Sequence, residues 1–128
     1  MRYLRQHASA YGIDPERIGV LGDSAGGWLV QMLGTTNGDK SFDEGDFLSQ
    51  SSDVKAVATL YGISDLQNIG EGFKEDIQRV HQSPAATEAL LVNGAAFRNF
   101  AGASITSTPQ KALNASPIGH LGGRPPPS

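Results

Sequence analysis

One segment of this chain constrains its fold more than any other. Ile18-Gly19-Val20-Leu21 is a short apolar run suited to a buried parallel strand. Gly22-Asp23-Ser24-Ala25-Gly26-Gly27 follows as a glycine-rich turn. Trp28, Leu29, Met32 and Leu33 then continue at helical spacing until Gly34 ends the run. A strand that turns directly into a helix is the unit of an α/β fold with a parallel sheet, because the helix must return over the sheet face.

The rest of the chain repeats this arithmetic. Leu4, Ala8 and Tyr11 predict one helix over residues 2–11, closed by Gly12. Asp14-Pro15 predicts a single turn before the first strand. Residues 35–53 are polar and predict a surface loop, whose Asp39, Asp43, Glu44 and Asp46 lack the spacing of a calcium loop. Val54 to Tyr61 predicts the second strand, and Gly62-Ile63-Ser64-Asp65 turns away from its end. From Leu66 to Leu113 the pattern is helical but irregular. Ser83-Pro84 is expected to cap a helix that runs through Leu90 and Leu91 to Asn93-Gly94, and Thr108-Pro109 to start a short one. This stretch, 66–113, suits a cap or lid inserted between two strands. The tail from Gly122 to Ser128 carries no element pattern. Two parallel strands can neither bury both faces nor protect their edges, so further strands are expected outside these 128 residues.

Composition removes several function classes. There are no cysteines, which excludes a disulfide framework, a thiolate nucleophile and a cysteine-ligated zinc. His7, His81 and His120 lie far apart without ligand spacing, so neither a metal nor another cofactor is implied. A formal net charge of −3 argues against nucleic acid as a partner. No apolar run is long enough for a membrane span, and the start has no apolar segment of a signal peptide. Compartment and oligomeric state are left open.

Ser24 is the candidate nucleophile. Gly22-Asp23-Ser24-Ala25-Gly26-Gly27 fits the pattern G-x-S-x-G, with a strand before it and a helix after it. In that setting the serine occupies a sharp turn, its hydroxyl projecting above the sheet. Gly22, Gly26 and Gly27 keep the junction small where strand and helix nearly touch. The backbone N–H of Ala25, at the start of the helix, points where an oxyanion would form. The similar G-D-S-G-G of chymotrypsin-like proteases belongs to an all-β fold whose serine opens no helix.

The longer run Tyr11-Gly12-Ile13-Asp14-Pro15-Glu16-Arg17-Ile18-Gly19-Val20-Leu21-Gly22-Asp23-Ser24-Ala25-Gly26-Gly27 resembles the segment through the nucleophile elbow of α/β-hydrolase serine esterases. The groups it resembles are the hormone-sensitive-lipase-like and the feruloyl or acetylxylan esterase-like enzymes. Leu60-Tyr61-Gly62-Ile63-Ser64-Asp65-Leu66 looks like the next core strand of that family, and Ala115-Ser116-Pro117-Ile118 like the approach to the one after. The resemblance implies a partial α/β-hydrolase domain over 1–128, a small-molecule ester substrate and an acyl-enzyme mechanism. It also implies that the upstream oxyanion glycines, the triad acid and the triad histidine belong to an enclosing enzyme of which this chain is an interior piece. The chain by itself is then expected to be inactive. A peptidase of the prolyl-oligopeptidase kind and a non-catalytic remnant of a hydrolase are the alternatives.

Asp65 and His120 follow Ser24 in the chain order of a hydrolase triad. Their simpler readings are a cap for a helix starting near Leu66 and a loop histidine. His81 is expected to be exposed in the insertion, and His7 to be a surface or packing residue. Asp23 is expected to hold elbow or neighbouring loop backbone, and Trp28 to pack in the core.

Overall fold

The computed structural model describes residues 1–122, and the reading of the tail beyond Gly122 lies outside them. The described chain divides into two compact units, one of Met1–Gly62 together with the chain from His120, the other of Ile63–Gly119.

The first unit is built on the predicted strand–helix–strand. Strand β1 (Gly19–Asp23) leads into helix α3 (Ser24–Thr35), and the chain returns through residues 36–55 to strand β2 (Ala56–Leu60). The two strands pair in parallel, Gly19 with Ala56 through Asp23 with Leu60. A parallel pair needs a crossover, and α3 supplies it by packing on the sheet. Its approach is close: a methyl group at Gly34 would lie 2.7 Å from Val57 Cγ2. Helices α1 (Arg2–Gln6) and α2 (Ala8–Tyr11) precede β1.

Several boundaries differ from the sequence expectations. The single helix over 2–11 is broken at His7, with φ −108° and ψ 21°. There the imidazole Nδ1 bonds the Tyr3 carbonyl at 2.9 Å, a side-chain competitor for the helical ladder. Gly12 ends α2 in the left-handed state, φ 67°, as a helix-terminating glycine should. The expected turn at Gly22–Gly27 is not a turn. β1 continues through Asp23 and α3 starts at Ser24 itself, so Ala25, Gly26 and Gly27 are helical. The first strand was expected to be buried, yet its Leu21 is 70% exposed, and every residue of β2 is exposed as well. An apolar strand is buried only where layers cover both its faces, and two strands with one crossover helix do not provide them.

The long loop is tied down by side chains. Arg5 donates from Nε to the Pro15 carbonyl at 3.0 Å, from Nη2 to Asp53 O at 2.9 Å, and from Nη1 to Ser51 O. Asn37 pairs with the Val54 backbone in both directions, at 2.8 and 3.0 Å. Arg2 and Asp43 form an ion pair at 3.0 Å. The acids of the loop therefore serve partly as anchors, not only as a solvated face.

The second unit has its own small core of Leu66, Ala86, Ala89, Ile105 and Ala112. Helix α5 (Thr87–Asn93) supplies Ala89, helix α6 (Pro109–Asn114) Ala112 and the 3₁₀ turn Ile105–Ser107 Ile105, whereas helix α4 (Glu75–His81) has no buried residue; a second 3₁₀ turn spans Pro117–His120. The helix expected from Ser83 starts later, at Thr87. Residues 83–86 form a turn in which the Ser83 hydroxyl accepts the Ala85 N–H at 3.1 Å. The start at Thr108-Pro109 agrees with α6, which has proline in its first turn. Ser116 is fully buried and satisfied: its Oγ accepts the Leu66 N–H at 2.8 Å and donates to Ala112 O at 2.7 Å.

Candidate active site at the strand–helix junction

The chemistry-bearing residues of the motif meet at the end of β1. Ser24 is the first residue of α3 and has φ +50°, the left-handed region that side chains disfavour. The local sequence imposes that strain. A methyl group at Gly22 would overlap the Gly26 carbonyl oxygen, and one at Gly27 would lie 2.8 Å from both Gly62 Cα and Thr59 Oγ1. Larger residues would push the helix off the sheet, and the chain could not reverse so sharply. Gly26 has open space around it, so its tightness is not required by contacts among the described residues.

Ser24 and Ala25 are exposed, and Gly27 is buried. As first-turn residues, Ser24, Ala25 and Gly26 have no carbonyl four residues back within α3 for their N–H groups. Asp23 precedes the helix in an extended conformation and gives it no side-chain cap. The hydroxyl of Ser24 and the first-turn amides thus share the exposed carboxyl end of the sheet. A nucleophile and an anion-stabilising dipole are compatible with that placement.

Asp23 does not bind the backbone as expected. Its Oδ2 faces the Tyr61 hydroxyl at 3.4 Å. Behind the junction, Thr59 Oγ1 donates to Gly27 O at 3.2 Å and accepts from Gln31 Nε2 at 3.0 Å. Sequence reasoning missed Thr59, Tyr61 and Gly62 as supports of the junction. The signal was a glycine at the end of the second strand, opposite the glycines of the first.

The remaining candidates are engaged elsewhere. Asp65 Oδ1 accepts the N–H groups of Gln67 and Asn68 at 3.0 and 3.2 Å, so it closes a turn and not a helix. His120 is a buried histidine in a 3₁₀ turn, 2% exposed, with its ring edge-on to Phe42 at 5.6 Å. The sequence reading was a loop histidine, and the residue closes a short 3₁₀ turn instead. His81 is likewise not free in solvent: its Nδ1 meets Glu88 Oε1 at 2.5 Å, and Glu88 is buried. His7 packs on Tyr3 and Phe47, with ring centroids 4.3 and 5.4 Å away. Trp28 is half-buried on α3.

Among the described residues no cluster of three or more His, Asp or Glu side chains could hold a metal ion, and no helix is long and apolar enough to cross a membrane. The Asp39 carboxyl is held below the usual aspartate range. The Ser41 N–H, 2.9 Å away, contributes most, then the Ser41 hydroxyl, with His120 adding a smaller electrostatic pull.

A parallel strand that passes through a strained serine into a helix, pinned by glycines, defines part of an α/β-hydrolase fold. The family model described as BD-FAE matches residues 1–128, and the chain belongs to that family. It is 28% identical over 127 residues to the probable carboxylic ester hydrolase LipM of Mycobacterium tuberculosis (strain ATCC 25618 / H37Rv), covering 99% of this chain and 26% of LipM. Esterase LipQ of the same organism is 35% identical over 66 residues, 52% of this chain and 15% of LipQ. The chain therefore spans about a quarter or less of the length of these relatives. Among solved structures, a truncated form of a carbohydrate esterase from gut microbiota superposes with a TM-score of 0.72 at 28% identity, over 94% of this chain and 41% of that one. A bifunctional GH43-CE protein of Bacteroides eggerthii gives 0.67 at 27% identity, over 94% of this chain and 15% of that one.

Proposed function

We propose that this chain carries the nucleophile of a serine carboxylic ester hydrolase, with Ser24 as that nucleophile. The observation that carries the reading is the left-handed Ser24 at the β1–α3 junction, where glycines at 22 and 27 leave no room for a side chain. Strain of this kind is retained where it serves function. The likeness to LipM and LipQ supports ester hydrolysis as the reaction class.

In this mechanism Ser24 Oγ attacks the ester carbonyl carbon while a histidine takes the hydroxyl proton. The Ala25 N–H donates to the oxyanion, the alcohol leaves with the proton, and water releases the acid from the acyl-enzyme. The chemistry requires no metal or cofactor. The carbohydrate esterase among the similar structures favours an ester carried on a carbohydrate.

Residues 1–128 alone should turn over esters poorly. Each of the three histidines is held in contacts of its own, to Tyr3 and Phe47, to Glu88, or to Phe42. Without a base, a triad enzyme loses on the order of 10⁶ in kcat. Turnover of a p-nitrophenyl ester by the purified chain, abolished by Ser24→Ala, would contradict this.

A fluorophosphonate probe applied to the full-length polypeptide tests the main reading. Labelling should map to Ser24, and Ser24→Ala should remove both the label and ester turnover. Absence of label favours a non-catalytic hydrolase fold. Label with turnover of prolyl peptide substrates but not esters favours the peptidase alternative.

A further inference from the structure

The carboxyl end of the sheet holds a second residue in the same backbone state as Ser24. Asp23 pairs with Leu60, so Ser24 and Tyr61 each stand one position beyond the last pair of adjacent strands. Tyr61 has φ +42°, beside +50° for Ser24. Glycine enters that region freely and asparagine tolerates it, whereas a bulky tyrosine is strained there.

The chain has to turn at this point. A methyl group at Gly62 would overlap Gly27 and come within 2.6 Å of both Gln31 Nε2 and Thr59 Oγ1. The turn does not, however, need an aromatic ring. Tyr61 is 78% exposed, more than any other large apolar or aromatic side chain described. Its hydroxyl lies 3.4 Å from Asp23 Oδ2, which sets the ring beside the residue that precedes Ser24. A smaller, left-handed-tolerant residue would satisfy the turn at lower strain, and yet a tyrosine stands at the carboxyl end of the sheet, where ligands of α/β folds bind.

We propose that Tyr61 is a positioning and specificity-determining residue of the Ser24 site. Its ring forms the wall on the β2 side of the serine and lies against the apolar or planar group flanking the scissile carbonyl. Asp23 holds the phenol end. This inference rests on Ser24 being the nucleophile.

The test uses the full-length polypeptide and p-nitrophenyl acetate, butyrate and octanoate. Tyr61→Ala should raise KM for the preferred ester roughly tenfold and flatten the preference among acyl chains, with kcat nearly unchanged. Tyr61→Phe keeps the ring but loses the hydroxyl that Asp23 holds, so its KM should fall between those of the wild type and Tyr61→Ala. Tyr61→Asn accepts the left-handed backbone, so it should melt at or above the wild-type temperature while losing the same preference. A wild-type KM for all three esters in Tyr61→Ala, with Ser24→Ala inactive, overturns the Tyr61 proposal alone. So does a Tyr61→Asn variant that melts well below wild type. Wild-type turnover in Ser24→Ala overturns the serine reading and the Tyr61 proposal with it.

Discussion

Gly22 and Ser24 depend on each other. The serine can hold a left-handed φ only while the backbone at 22 stays against the Gly26 carbonyl. Gly22→Ala puts a methyl group into that carbonyl, and a backbone atom cannot swing aside as a flexible side chain can. The variant should lose about 1–3 kcal/mol in a urea melt. The fluorophosphonate reactivity of Ser24 in the full-length polypeptide should fall with it. By contrast, Gly26→Ala meets no neighbour and replaces a helical glycine. It should be neutral or stabilising by up to about 1 kcal/mol. Equal losses for the two substitutions would show that local packing at 22 is not what holds the serine. The G-x-S-x-G pattern identified these positions from the sequence alone. The unequal demands on Gly22 and Gly26 came only from knowing which atoms face each.

At the scale of elements, the strand–helix–strand was legible because its apolar runs and its glycines agree with one another. The boundaries were less so. The residues from Ser24 to Gly27 look like a turn because glycine disfavours a helix, but packing of α3 on both strands overrides that propensity. The loop between α3 and β2 was legible only as polar. Its order depends on Arg5, which gathers three carbonyls from Pro15, Ser51 and Asp53, contacts that no local pattern announces. Arg5→Ala should leave these carbonyls without their charged donor and destabilise the first unit by about 2–3 kcal/mol, read by urea unfolding. Asp39 in the same loop has its carboxyl lowered, chiefly by the Ser41 N–H. A group lowered in the folded state stabilises above its unfolded value and loses that contribution as pH falls through its folded value. The wild type should therefore exceed Asp39→Asn in stability at neutral pH. The gap should close at pH below the ordinary aspartate value of about 3.9. A gap that persists into strong acid would assign the effect to something other than the charge.

Across the whole molecule, the two compact units have different kinds of support. The unit of residues 63–119 closes around Leu66 and Ile105, each 1% exposed, with alanines filling the space between helices. Ile105→Ala should cost about 2–5 kcal/mol. Hydrogen exchange should accelerate through residues 63–119 before it does so in β1 and β2. The first unit instead leaves apolar surface uncovered. Leu21, Leu29 and Leu60 are 70, 52 and 51% exposed, and each strand pairs on one side only among the described residues. Isolated residues 1–128 should self-associate in sizing chromatography, because bare strand edges pair with other chains. A sharp, concentration-independent melt of a monomer would contradict that.

The sequence by itself determined the α/β class, the parallel crossover and the position of the candidate serine. Each is set by local chemistry: apolar runs of strand length, glycines where backbones must touch, and a helical pattern soon after the first strand. Tertiary structure alone decided the rest. It set Tyr61 beside Asp23, buried His120 against Phe42 and paired His81 with Glu88. Those outcomes join residues that the chain brings together only on folding. Between such residues, side-chain reach and the exclusion of water decide the partner, and no periodicity along the chain encodes either.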